Sequence, residues 1–302
     1  MKRSATRGPG ARAKGMGLLA IGALGLWITG CEGGRLPGAA SEDAGPPDPA
    51  AEVLGERLFL ETRFAEFFAR AVGPAVNAPL VVGDPTVAST LTAGGRTLPG
   101  PFAGEAMNCR VCHLVDEHGG RRGGGVRAYA DFARRSPIPL RLDGGFETPR
   151  NSPSLVGATL PRAGGLLLHL DGEFATTEDL VVETLLGRNY GWLPDERDAA
   201  MAHVARVVRF DDGRGDLAEE FEHLTYAEAL ASDPSDVPDA LRLPEQFRLD
   251  TNGATDAEIV DAVARLIAAY VEGLRFGADA AGRHVGSPYD LFLRRNGLPR
   301  AP

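Results

Sequence analysis

The chain has 302 residues and a formal net charge of −9, long enough for one large or two small domains with a real core, and nothing in its composition suggests a fibrous or disordered protein. An acidic balance excludes a general nucleic-acid binder, because phosphate partners demand a basic face; it suits a cationic protein partner or simple solubility. The 39 glycines and 22 prolines predict many loops.

Residues 1–30 read as a targeting segment. Lys2, Arg3, Arg7, Arg12 and Lys14 form a basic region, residues 17–28 an apolar core too short for a comfortable bilayer span, and Thr29-Gly30 a small-residue exit. Ile28-Thr29-Gly30-Cys31 resembles a bacterial lipobox, in which Cys31 is lipidated and becomes the first mature residue; an ordinary signal peptide cleaved elsewhere is the alternative. Glu32 follows where an Asp would favour the inner membrane, so the resemblance implies an outer-membrane anchor facing the periplasm, with lipid the only membrane contact. Cleavage would remove five positive charges and no negative one, taking the formal net charge from −9 to −14. Residues 31–51, rich in Gly, Pro, Ala and acid, read as a flexible tether.

Order is expected from about Ala51, with Leu54, Leu58, Phe59, Phe64, Phe67 and Phe68 at roughly helical intervals through about Ala71. A loop with a short hairpin around residues 81–92 follows. A helix is expected over residues 105–115, and it carries Cys109-Arg110-Val111-Cys112-His113. Two thiols three positions apart with an imidazole directly after them match covalent attachment of one c-type haem: each thiol forms a thioether with a vinyl group, and His113 ligates the iron. A redox dithiol would need a βαβ context, and a zinc site would need further ligands, which the cysteines cannot supply once Cys31 is counted as lipidated.

After the motif come glycines 119, 120 and 123–125 and an irregular run to Pro153, placed to cross the open face of the iron. Helices are predicted from Thr176 to near Gly187, from Asp198 to Phe210, and from the capping box Thr255-x-x-Glu258 to Gly277; the last places Ile259, Val263, Leu266, Ile267, Tyr270 and Leu274 on one stripe. Between them lies an acidic, proline-broken stretch with a short helix around residues 217–224, and a brief helix is expected over residues 287–293. No alternating strand pattern recurs, so the expected fold is mainly α.

Several of these stretches, taken in order, resemble the di-haem cytochrome c peroxidase family over about residues 52–210. Leu54-Gly55-Glu56-Arg57-Leu58-Phe59 is similar to its opening helix, Cys109 to His113 to its N-terminal haem site, Thr148-Pro149-Arg150-Asn151-Ser152-Pro153-Ser154-Leu155 to its RN-T/S-P-S/T-L element, and His169-Leu170-Asp171-Gly172 to its W-D-G element. Residues 287–299 resemble the connector that leads to a second haem domain. The resemblance implies a cytochrome c-like haem domain with long irregular loops over 52–210, and a helical extension or connector over 211–302 packed on it. It also implies reduction of hydrogen peroxide with electrons from a separate donor cytochrome.

Two departures weigh against turnover: the sequence holds one CxxCH, and Leu170 stands where the family has a tryptophan between its two haems. A one-haem electron carrier or haem-binding module without turnover is therefore the alternative. For the iron's second face His118 is the candidate distal group, with Tyr129 as a hydrogen-bonding or radical residue and Glu196 as a catalytic acid near the family's glutamate. Arg150 and Asn151 suit haem propionates, since an Arg fork pairs with a carboxylate. His169 is a further candidate for the haem pocket. His203 is expected to face solvent, while Met201 and Trp192 are expected in the core.

Overall fold

The computed structural model describes residues 48–78, 89–91, 97–99, 108–116, 127–130, 138–145, 147–150, 152–159, 168–169, 172–214, 216–275 and 288–299, all within the unit Gly45–Pro302. Cys31, His118 and Asn151 lie outside these residues. So do the expected tether as far as residue 47 and the glycines after the motif. Among the described residues no helix is long and apolar enough to cross a membrane.

The fold is mainly helical. The first apolar stretch forms two helices, α1 (Ala50–Phe59) and α2 (Glu66–Val72), where one was expected through residue 71. The break between them has a local cause. The Glu61 carboxylate accepts the Arg63 backbone N–H at 2.9 Å as well as its guanidinium, and a side chain that captures nearby donors in this way competes with helix continuation. Short strands β1 (Ser89–Leu91) and β2 (Thr97–Pro99) then pair antiparallel with Thr90 opposite Leu98, so the expected hairpin lies further along the chain.

The expected motif helix is a single turn, α3 (Cys109–Cys112), and its expected continuation to residue 115 is corrected by a strand, β3 (His113–Asp116). That backbone is taken by pairing with β4 (Arg127–Ala130), His113 opposite Ala130 and Asp116 opposite Arg127. Strand β4 thus lies alongside the segment that bears the imidazole.

The three longer expected helices form close to the expected limits: α4 (Thr177–Leu185), α5 (Arg197–Phe210) and, after the short α6 (Tyr226–Leu230), α7 (Asp256–Gly273). Thr176 Oγ1 accepts the Asp179 N–H at 3.1 Å; Thr255 and Glu258 form the reciprocal box, at 3.3 Å for the Glu258 N–H and 2.7 Å for the Thr255 N–H. The same box at Thr225 and Glu228 starts α6, a helix the sequence reading passed over; the short helix expected around 217–224 is a 3-10 stretch, Asp216–Phe221. A final helix, α8 (Pro288–Arg295), closes the described chain.

Helix α7 lies at the centre, packed against α1, α4 and α5, with Ile259, Val263, Leu266 and Ile267 buried. The stretch after residue 210 therefore supplies the core's central helix instead of adding to a finished domain. Gly55 makes the closest approach possible, since a Cβ there would overlap the Leu266 carbonyl and the Tyr270 Cβ. Arg209 ties α5 to the start of α7 by donating to the Thr251 carbonyl at 3.0 Å and the Ala254 carbonyl at 2.8 Å. At the other end of α7, the Gly157 N–H donates to the Leu274 carbonyl at 2.8 Å. That bond seats the segment containing Pro153.

Candidate functional site

The site grows from α3. The Asn108 side chain donates to the Leu60 carbonyl at 3.0 Å and so ties the turn to the end of α1. Neither Cys109 nor Cys112 is in a disulfide, and both pack at the edge of the core. The Cys109 sulfur lies 3.2 Å from the Tyr190 hydroxyl. Burial pushes the Cys109 thiol up to about 12, and the Tyr190 hydrogen bond offsets this only in part.

His113 begins β3 with its ring Nδ1 2.8 Å from the Pro153 carbonyl. A carbonyl can only accept, so Nδ1 carries the hydrogen and Nε2 keeps its lone pair. Burial holds the imidazole below its usual range, and nearby His169 adds to the effect; the neutral ring is the form a metal ligand requires. Pro153 belongs to the Arg150-Asn151-Ser152-Pro153 stretch singled out in the sequence, but its carbonyl role had no signal there.

Arg150 and His169 are brought together by Glu173. One oxygen of that carboxylate lies 3.2 Å from Arg150 Nη1 and 2.9 Å from His169 Nδ1. The turn that presents His169 is closed by a bridge between Leu168 and Phe174, with His169 at φ 65° and Gly172 at φ 75°. The His169 ring stands edge-on to Phe174 at 5.0 Å. Tyr129 is described as a backbone position in β4, opposite Leu114.

Glu196 sits in a different cluster. It accepts the Leu193 N–H at 2.8 Å and Arg141 Nη2 at 2.7 Å, and these bonds hold it below the usual carboxylate range against the opposing pull of burial. Arg141 also donates to the Gly191 carbonyl at 2.5 Å and pairs with Glu66 at 3.0 Å. Beside it Arg188 grips the 138–145 loop, with Nε donating to Asp143 Oδ2 at 2.7 Å and Nη2 to the Pro139 and Gly145 carbonyls at 2.7 and 2.8 Å. The two arginines brace the turn that carries Tyr190 and Trp192. As expected, Trp192 is a core residue; its indole N–H donates to the Phe64 carbonyl at 3.2 Å. Met201 packs against the same core.

A buried charged network lies behind the site. Asp211 accepts from Arg57 at 2.6 Å, from Arg63 at 2.8 Å and from the Tyr226 N–H at 3.0 Å, while Glu61 accepts the Tyr226 hydroxyl at 2.8 Å. Arg57 stacks over the Tyr226 ring at 4.0 Å. His203, expected at the surface, is only 5% exposed, with Nε2 2.7 Å from the Arg63 carbonyl. The break between α1 and α2 turns that carbonyl inward, and its need for a donor draws in an imidazole from what reads as the polar face of α5.

The arrangement joins two thiols outside any disulfide to a neutral imidazole whose Nδ1 carries the hydrogen. Among the described residues no group of three His, Cys, Asp or Glu side chains could hold a metal ion, as a structural zinc site would need. Comparison of the chain with family models, curated proteins and solved structures returns no match.

Proposed function

We propose that the chain is a c-type haem protein in which Cys109 and Cys112 carry one haem through thioethers and His113 ligates its iron through Nε2. The observation that carries this reading is the His113 to Pro153 hydrogen bond of 2.8 Å, which selects the tautomer a ligating imidazole needs and fixes the ring.

Within that class we read the protein as a cytochrome c peroxidase-like lipoprotein. It would be anchored through Cys31 on the periplasmic side, at the outer membrane, and would reduce hydrogen peroxide with electrons from a separate donor cytochrome. Cys109, Cys112 and His113 would hold the haem, which would supply the redox chemistry for reducing peroxide. The chain's part is to keep His113 neutral and oriented and to deliver protons as the O–O bond breaks. His118 and Tyr129 are the candidates for the proton work. Glu196 is the further candidate that the resemblance supplies, but Arg141 and the Leu193 N–H hold it ionised, which makes it a weak partner in proton transfer. Arg150 already pairs with Glu173, so a propionate would share or displace that carboxylate.

A second reading, a one-haem electron carrier, is favoured by the single CxxCH and by Leu170 at the bridging position. Spectra of the purified protein separate the two. High-spin ferric iron that changes on adding peroxide supports the peroxidase; a low-spin spectrum indifferent to peroxide and carbon monoxide overturns it in favour of the carrier. Absence of covalently bound haem overturns both.

A further inference from the structure

The Cys109 sulfur has a neighbour that the CxxCH motif does not require. Tyr190, 2% exposed, reaches it from 81 residues further along the chain, and its hydroxyl is 3.2 Å from the sulfur. The phenol is built into place from both sides. Tyr190 ends the 3-10 turn Arg188–Tyr190, with its N–H on the Gly187 carbonyl at 3.1 Å, and Gly191 follows at φ 87°, a conformation that favours glycine. Arg141 holds the Gly191 carbonyl at 2.5 Å, Arg188 grips the 138–145 loop, and Trp192 is tied to Phe64 at 3.2 Å. A hydroxyl fixed in this way restrains the sulfur; the sulfur does not restrain it.

We propose that Tyr190 is a positioning residue for haem attachment, its hydroxyl holding the Cys109 sulfur in the orientation that thioether formation needs. This rests on the haem reading above. In the attachment step the S–H adds across a vinyl double bond: a C–S bond forms at one carbon, the hydrogen ends on the other, the π bond is lost and nothing leaves, so no oxidant or reductant is consumed. The contact serves before and after that step. A thiol can donate to or accept from the phenol, whereas a thioether can only accept, which the phenolic O–H allows. The bond to haem at Cys109 therefore depends on a residue outside the motif.

The test is Tyr190→Phe, which removes one oxygen and keeps the ring, in full-length protein matured in a periplasm that attaches c-type haem. Intact mass and the α band of the pyridine haemochrome report how many thioethers each molecule carries, and Cys109→Ala supplies the single-thioether reference. Tyr190→Phe is expected to raise the single-thioether fraction several-fold over wild type, with peptide mapping placing the remaining bond at Cys112. Two thioethers in wild-type proportion overturn the proposal while leaving the haem reading intact. Wild-type protein without covalent haem overturns the haem reading, and this inference with it. Should Tyr190→Phe fail to accumulate, Gly191→Ala decides, because a side chain at φ 87° strains the turn that sets the phenol: a single-thioether fraction raised several-fold, with the remaining bond at Cys112, supports the proposal, and a wild-type fraction overturns it.

Discussion

His113 and Pro153 are joined by a hydrogen bond of 2.8 Å across 40 residues of chain. The segment that offers the carbonyl is itself seated on the end of α7 through Gly157 and Leu274. The imidazole's orientation is thus inherited from the packing of the central helix.

This link makes His113 separable from the thioethers. His113→Gly is expected to keep covalent haem at Cys109 and Cys112 but lose the nitrogen ligand, giving an altered ferric spectrum that added imidazole restores. An unchanged EPR spectrum in His113→Gly would show that another group ligates the iron.

The network around Asp211 should dominate stability. Asp211→Asn leaves Arg57 and Arg63 without their shared counter-charge in a buried setting, and a cost of about 3–5 kcal/mol is expected, measured by denaturant unfolding. A loss within error of zero would mean that the arginines find other partners.

The same network gives stability a pH dependence. Burial opposes ionisation of Glu61, but Arg63 and the Tyr226 hydroxyl overcome it and hold its carboxyl below the usual 4.5. The unfolded chain therefore binds this proton first as pH falls. The contribution is complete above 4.5 and is lost as pH drops through the folded value. Urea midpoints measured from neutral pH down should fall less steeply in Glu61→Gln than in wild type; parallel curves would assign the acid limb to other groups.

Gly55→Ala tests the contact between α1 and α7. The added methyl meets backbone, the Leu266 carbonyl, so α1 must shift; about 1–3 kcal/mol of destabilisation is expected, read as a lower Tm. An unchanged or raised Tm would show that the helices separate freely.

Arg188→Ala should release the 138–145 loop, because one guanidinium holds Asp143, Pro139 and Gly145 together. Asp143, held down to about 2 by that guanidinium, would return toward 3.8. Hydrogen exchange in the loop and proteolysis beside Leu142, 98% exposed, are expected to rise several-fold, with the α7 core unaffected.

The amino-acid sequence alone determined the helices that begin with caps and carry an apolar stripe, because those signals are local: Thr176, Thr255 and Glu258 act within one turn of themselves. It also placed two thiols and an imidazole side by side at 109–113, located Trp192 in the core, and placed Met201 against it, where that residue is partly buried. Its misreadings came where other groups, near or far in the chain, compete for the backbone. Helix was expected past Cys112, but β4 captures His113 to Asp116; one helix was expected through about Ala71, but Glu61 folds onto Arg63 and breaks it. His203, polar by its place on the α5 pattern, is buried because a carbonyl 140 residues away needs its N–H. Only the tertiary structure decided which atoms meet the motif. The Pro153 carbonyl on His113 and the Tyr190 hydroxyl on Cys109 are ordinary groups with no signature in sequence, and they act there because α7, Arg141 and Arg188 hold their backbones in place.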